Sequence, residues 1–206
     1  MEPDDLRVAL AALSTAPEQE WLREALARVA REPDDIGGLF ATAARRCGRA
    51  ALPSAPGWTV DEAARALLLA ALPADQVATA ADTLYRYGDA AEKRAVLKAL
   101  PLLPIGAGAV PLLHDAIRTN DTRLVAAALG TYARHLDQPM WRQAVLKCVF
   151  MGVPLNVVHD LDTRADGELA TMLAGLVEER RAAGRDVAAD ALALLDRLAA
   201  AEGKKA

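Results

Sequence analysis

The sequence predicts an all-α fold of about a dozen short helices, and three observations support this prediction. Hydrophobic residues make up 53% of the 206 residues, whereas aromatic residues make up only 4%. The apolar content is therefore mostly alanine and leucine, which favour helices over strands. Apolar residues also recur at helical spacing along almost the whole chain, and no convincing run alternates between apolar and polar residues as a strand would.

Each stripe of apolar residues defines one face of a predicted helix. From the N-terminus to the C-terminus, the clearest stripes consist of Leu6, Leu10 and Leu13; Leu22, Leu26 and Val29; Trp141, Val145, Cys148 and Val149; and Leu169, Met172, Leu173, Leu176 and Val177. Proline and glycine separate the helices because neither favours a helix interior. These breaks lie at Pro33, residues 53–57, Gly88, residues 106–108, residues 152–154 and Gly184.

Two helix starts carry a capping pattern. Thr59 precedes Glu62 by three residues, and Asp89 precedes Glu92 by the same interval. In such a pair, each side chain accepts a hydrogen bond from a backbone amide that the helix leaves free. We therefore expect helices to begin directly after Thr59 and Asp89.

The predicted helices suggest two architectures. Helix pairs begin near Asp89 and near Asp121, at about the period of a HEAT-like hairpin array. In such an array the concave side is the natural place for a ligand or a partner. An irregular helical bundle is the alternative. No linker divides the chain, so we expect one helical domain over residues 1–206, in which residues 1–56 supply N-terminal helices of the same core.

Charge and hydropathy argue against two classes of partner. Lys and Arg number 24 against 28 Asp and Glu, a net charge of −4, which is the wrong sign for neutralising the phosphates of nucleic acid. The acidic start of the chain is unlike a basic secretory signal, and apolar stretches such as residues 67–72 are far too short to cross a bilayer. We expect a cytoplasmic protein that neither binds nucleic acid nor inserts into a membrane.

Two His-Asp dipeptides, His114-Asp115 and His159-Asp160, raise the question of a metal site. In a helical protein they resemble part of the pattern of HD phosphohydrolases, which would also need His135 earlier and Asp190 or Asp196 later. This spacing matches no usual site. No P-loop, dinucleotide fingerprint, nucleophile elbow or zinc-protease motif occurs either. We expect no bound metal and no cofactor.

The two cysteines, Cys47 and Cys148, have no CxxC spacing and form no recognisable zinc site. Cys148 shares a helical face with Trp141 and Val145. We therefore expect Cys148 to be a small buried apolar side chain.

Lys147 is the most informative cation in the sequence. It lies on a mostly apolar helix, one turn after Gln143 and on the same face as Phe150, so its side chain should be partly desolvated. A lysine in such a position needs an anion. The candidates are a protein carboxylate, Asp160 or Asp162, and a phosphate or carboxylate of a ligand.

A ligand site can be predicted around this lysine. Arg118 ends one helix and Arg164 follows the next helix pair, so stacked helices would bring both to Lys147. The acids in their vicinity would either complete a structural network or leave room for an anionic ligand. The residues predicted to form the site are Arg118, Asn120, Gln143, Lys147, His159, Asp162 and Arg164.

A long composite motif runs through the second half of the chain. It comprises Trp141, Gln143, Val145-Leu146-Lys147, Phe150, Pro154-Leu155, Leu161-Asp162, Arg164-Ala165, Glu168-Leu169-Ala170, Met172-Leu173, Glu179-Arg180 and Ala182-Ala183-Gly184-Arg185. Earlier pieces include Gly57-Trp58, residues 63–66, residues 100–104 and residues 117–120. On these residues the chain resembles the EboA family, small bacterial proteins encoded beside biosynthetic enzymes, over about residues 57–187.

Several positions depart from the family pattern. Arg142 replaces the asparagine of a usual Trp-Asn-Gln, and Asp166 replaces the asparagine of a usual Arg-Ala-Asn. Asp160 replaces a glycine and Arg181 replaces a tryptophan. The chain is therefore similar to a divergent member of the family.

The resemblance implies an accessory protein of a bacterial secondary-metabolite pathway. Such a protein would bind a biosynthetic partner enzyme or a small-molecule metabolite, such as a prenylated, aromatic or anionic precursor. Two alternatives stay open: an enzyme of the same pathway, an isomerase, cyclase or phosphate-handling hydrolase that uses His159, Asp160 and Asp162, and a scaffold that binds other proteins.

Overall fold

A computed structural model describes the backbone of residues 2–203 and the side chains as far as Ala200. Within that range every regular element is a helix, and the one β contact is an isolated bridge between Ala51 and Thr59. The all-α prediction is confirmed, and so is the number of helices. The twelve α-helices are α1 (Pro3–Leu13), α2 (Ala16–Arg31), α3 (Ile36–Cys47), α4 (Val60–Ala70), α5 (Val77–Tyr87), α6 (Ala90–Ala99), α7 (Val110–Arg118), α8 (Thr122–Ala128), α9 (Gln138–Met151), α10 (Leu161–Arg164), α11 (Gly167–Ala182) and α12 (Ala189–Gly203).

The chain divides into two compact units, the first ending at Leu112 and the second beginning at Leu113. The single domain over residues 1–206 and the HEAT-like arrangement both stay predictions. Between residues 2 and 203, no helix combines the length and the apolar character needed to cross a bilayer.

Both predicted capping boxes form. The carboxylate of Glu62 accepts from the backbone amide of Thr59 at 3.0 Å, at the start of α4. Asp89 and Glu92 exchange hydrogen bonds of 2.8 and 2.9 Å at the start of α6. These contacts satisfy amides in the first turns and fix where each helix begins.

The core of the first unit surrounds α4, which is buried along most of its length. Three charged residues of this helix, Asp61, Glu62 and Arg65, are also buried. Arg65 pairs with Asp61 at 2.5 Å and donates to the backbone carbonyl of Phe40 at 3.0 Å. Burial of a charge is tolerated when it is paired and hydrogen-bonded in this way.

Glu62 is held by two cations as well as by its capping bond. Arg94 approaches one carboxylate oxygen at 2.6 Å, and Lys98 of α6 contacts the other. The ammonium of Lys98 also donates to the carbonyl of Gly57 at 2.6 Å and lies 4.3 Å from the centre of the Trp58 ring. Burial lowers the pKa of Lys98, and the negative charge of Glu62 opposes that shift. This cluster ties α6 to the start of α4.

The core of the second unit is built around Trp141 of α9, whose side chain is fully buried. The ring nitrogen of Trp141 has no hydrogen-bond partner among the described residues. Cys148 is fully buried on the same helix, as predicted, and burial raises the pKa of its thiol to about 12. Cys47, in the first unit, is likewise buried, and burial raises the pKa of its thiol to about 11. Both side chains behave as apolar packing groups.

Helices α9 and α11 lie side by side and run in the same direction. Arg142, near the start of α9, pairs with Asp166, which directly precedes α11. Arg180, near the end of α11, donates to the backbone carbonyl of Phe150 near the end of α9 at 3.4 Å. The first turns of the two helices are therefore neighbours, and this is where the candidate site lies.

Candidate functional site

An open groove of about 260 Å³ lies between the first turns of α9 and α11. Its lining combines the apolar side chains of a proline and two methionines with charged and amide groups. The lining residues are Asp137, Pro139, Met140, Arg142, Gln143, Glu168 and Met172. A lining of this composition suits a ligand that has an apolar body and a polar group.

The guanidinium of Arg142 is the central charge of the groove. Its Nε donates to Oδ1 of Asp166 at 2.9 Å, and its Nη2 donates to Oδ2 at 2.6 Å. Its Nη1 lies 2.5 Å from a carboxylate oxygen of Glu168. The side chain of Arg142 is only 13% exposed, whereas that of Glu168 is 65% exposed. Arg142 therefore holds one partner in a bidentate pair and a second one at the solvent edge.

Asp166 is fixed by more than this pair. Its carboxylate caps α11 by accepting from the amide of Leu169 at 3.0 Å, and it accepts from Nε2 of Gln138 at 3.1 Å. The hydrogen bonds from Arg142, followed by these capping and amide contacts, lower the pKa of Asp166 to about 2. The same pair raises the pKa of Arg142 above its usual value. Both groups are charged at any physiological pH.

Arg164 holds the segment that leads into α9. Its Nη1 and Nη2 donate to the backbone carbonyls of Ala133 and Leu136, both at 2.9 Å, and its Nε donates to Gln138 at 3.1 Å. The guanidinium lies 4.8 Å from the centre of the Trp141 ring. Burial lowers the pKa of Arg164, and the nearby acids oppose that shift. Arg164 thus joins the turn before α11 to the segment before α9.

The other predicted site residues occupy several places in the second unit. Gln143 lines the groove and is exposed, whereas Lys147, one turn further along α9, is half-buried as predicted. Arg118 is exposed and lies 3.5 Å from Asp115, and Asn120 is exposed in the turn after α7. None of these contacts joins Lys147, Arg118 and Arg164 directly, and their convergence on one pocket stays a prediction.

His159 and Asp162 make separate contacts. The ring of His159 lies 3.4 Å from the carboxylate of Asp160, and its backbone amide donates to the carbonyl of Leu129 at 2.9 Å. Asp162 pairs with Arg197 of α12 at 2.5 Å. Among the described residues, no three His, Cys, Asp or Glu side chains lie together as metal ligands would.

Three charged groups in or directly beside the groove were missed as site residues by sequence reasoning. Arg142 and Asp166 entered only as departures from a family pattern, and Glu168 entered only as part of the composite motif. Their complementary charges, an arginine at one departure and an aspartate at the other, were the available signal. Because the two positions are 24 residues apart, nothing in helical periodicity connects them.

Comparison with known proteins bears on the same region. The model of a protein family described as "Metabolite traffic protein EboA" matches residues 40–196, which include every residue that lines the groove. No curated protein and no solved structure matches the chain.

Proposed function

The chain belongs to the EboA family of metabolite traffic proteins, and on that premise we propose that it is an accessory protein that binds a small amphipathic metabolite in the groove between α9 and α11. The observation that supports this proposal most directly is the lining of the groove. Met140, Met172 and Pro139 offer apolar surface beside the guanidinium of Arg142 and the amide of Gln143.

The apolar side of the groove favours adaptable contacts. Methionine is unbranched and polarisable, so two methionines on facing helices can shape themselves to different hydrocarbon groups. A volume of about 260 Å³ is slightly below the range of about 300–1,000 Å³ typical of small-molecule sites. The groove therefore takes up one part of a metabolite, such as a ring or a short branched chain, and leaves the rest in contact with solvent.

An open groove suits transfer better than storage or chemistry. A ligand that is only partly covered can pass to a partner enzyme without a large opening motion of the carrier. We propose that the metabolite is an intermediate of a secondary-metabolite pathway and that an enzyme of that pathway receives it. This role is consistent with the metabolite traffic description of the family.

Lysine substitutions at neighbouring positions of α11 test the proposal. Met172 lines the groove, whereas Thr171 is exposed beside it on the same helix. Met172→Lys should abolish formation of the pathway product when it is returned to a strain that lacks the gene, because a charged side chain then occupies the apolar wall. Thr171→Lys should restore the product. Untargeted metabolite profiling of both strains supplies the measurement, and the precursor that accumulates in the Met172→Lys strain identifies the ligand.

A second variant distinguishes a binding defect from unfolding. Gln143 is exposed, so Gln143→Ala should leave the melting temperature unchanged while weakening transfer. If Met172→Lys and Gln143→Ala both restore full product formation, the groove is not the binding site and the proposal is wrong.

A further inference from the structure

We infer that the ligand of this groove carries an anionic group, a carboxylate or a phosphate, which replaces Glu168 on the guanidinium of Arg142. The inference rests on the proposed function and specifies the class of metabolite. It starts from the unequal way in which Arg142 holds its two carboxylate partners.

Asp166 is a permanent partner of Arg142. Besides the two hydrogen bonds from the guanidinium, its carboxylate accepts hydrogen bonds from the amide of Leu169 and the side chain of Gln138. Displacing Asp166 would therefore uncap α11 as well as break the pair. Nothing in this arrangement leaves Asp166 free to move.

Glu168 is an exchangeable partner. Among the described residues its carboxylate has one ion-pair contact, with Nη1 of Arg142 at 2.5 Å, and its side chain is 65% exposed. Exposed ion pairs contribute little to stability, since water solvates the separated charges well. Glu168 can therefore rotate into solvent at small cost and free Nη1 of Arg142, a residue that lines the groove, for another acceptor.

An incoming anion replaces the contact with Arg142 that Glu168 loses. A carboxylate or phosphate oxygen can accept from Nη1 as Glu168 does, because guanidinium groups match both geometries. Its hydrocarbon part meanwhile covers Met140 and Met172, which the Glu168 side chain cannot do to the same extent. Exchange thus adds apolar burial without losing the charged contact.

Further positive groups lie near Arg142. The first turns of both α9 and α11 lie at the groove, and the amides at a helix start carry partial positive charge. Behind Asp166, the guanidinium of Arg164 bonds to two carbonyls and an amide rather than to a carboxylate. When Glu168 turns away, the acids that remain near these positive groups are Asp137 and Asp166 beside the groove and Asp160, whose charge acts on Arg164.

Four probes with the same eight-carbon chain test the head group: octanoate, octyl phosphate, octanol and octylammonium. Binding is followed in the full chain through the methyl signals of its 4 methionines after isotope labelling. Met140 and Met172 report from the groove, and Met151, at the far end of α9, serves as an internal control. We expect octanoate and octyl phosphate to bind more tightly than octanol, and octylammonium to bind most weakly. The ratio of the two anions distinguishes a carboxylate ligand from a phosphate ligand.

Glu168→Gln is the decisive variant because the residue is exposed and its replacement should not disturb the fold. It removes the competing charge, so the affinity for octanoate should rise by about two- to five-fold, the range expected for one exposed ion pair. The affinity for octanol should not change. Arg142→Gln should abolish the advantage of the anions over octanol.

The outcomes separate the two proposals. If octylammonium binds most tightly and Glu168→Gln weakens it, the groove accepts a cation, and the anion inference is wrong while the proposed function stands. If all four probes bind equally and Glu168→Gln has no effect, Arg142 does not recognise the head group, which also overturns the inference. If no probe shifts Met140 or Met172, the proposed function itself fails.

Discussion

Replacing Trp141 with alanine should lower the free energy of unfolding by about 3–5 kcal/mol, the usual effect of emptying a large aromatic core position. The structure supports this magnitude because the side chain is fully buried and the guanidinium of Arg164 lies 4.8 Å from its ring centre. For a chain of this size, the change corresponds to a decrease of about 6–20 °C in melting temperature. Urea unfolding followed by far-ultraviolet circular dichroism measures the free energy directly.

Replacing Trp141 with phenylalanine separates the ring from its N–H group. The ring nitrogen is buried and has no partner among the described residues. Folding therefore removes the water that hydrates this N–H group, which destabilises the folded state by about 1–3 kcal/mol. Phenylalanine keeps most of the apolar ring and removes that unfavourable group. Trp141→Phe should therefore destabilise the protein by less than half as much as Trp141→Ala.

Two results would refute this reasoning. Equal destabilisation by phenylalanine and alanine would mean that the indole N–H is hydrogen-bonded, for instance to a buried water molecule. An unchanged melting temperature for Trp141→Ala would mean that Trp141 is not a core residue. Trp21→Ala provides a control, because Trp21 of α2 is only half-buried and its loss should be milder.

Three further predictions concern charges and thiols. Because the folded-state pKa of Asp166 is lowered to about 2, its contribution to stability is present above about pH 4 and is lost as the pH falls toward 2. Over that pH range, the melting temperature of Asp166→Asn should therefore decrease less than that of the wild-type protein. Asp61→Leu should destabilise the first unit by about 3–5 kcal/mol because it leaves Arg65 buried without its acid, whereas the double variant Asp61→Leu, Arg65→Met should recover much of that loss in urea unfolding. Cys47 and Cys148 should resist a thiol reagent at pH 8 in the folded protein and react on unfolding, since burial and their raised pKa values keep both protonated; rapid modification of either in the folded state would contradict this.

Sequence reasoning was most successful where the interactions are local. The capping boxes at Thr59 and Asp89 span three residues, so the residue types alone indicate them. Burial of Trp141 and Cys148 follows from a stripe on a single helix. Such features depend on the geometry of one helix, which is the same in any fold.

The groove and the buried charges depend on which helices become neighbours. Asp61 and Arg65 stand one turn apart in the sequence of α4 and look like an ordinary surface pair. They are buried because α1, α3 and α6 pack around that helix. In the same way, Arg142 meets Asp166 only because α9 and α11 lie parallel. Hydrophobic periodicity identifies the buried face of a helix but not the partner that covers it.

Asp166 serves the helix and the groove through different properties of one side chain. Capping of α11 requires only a side-chain oxygen that accepts from the amide of Leu169, and asparagine caps helices about as well as aspartate does. Pairing with Arg142 requires the negative charge. With asparagine at position 166, the guanidinium of Arg142, which is only 13% exposed, would have Glu168 as its one carboxylate partner among the described residues. The charge beside the groove can therefore change at this position while the start of α11 stays the same.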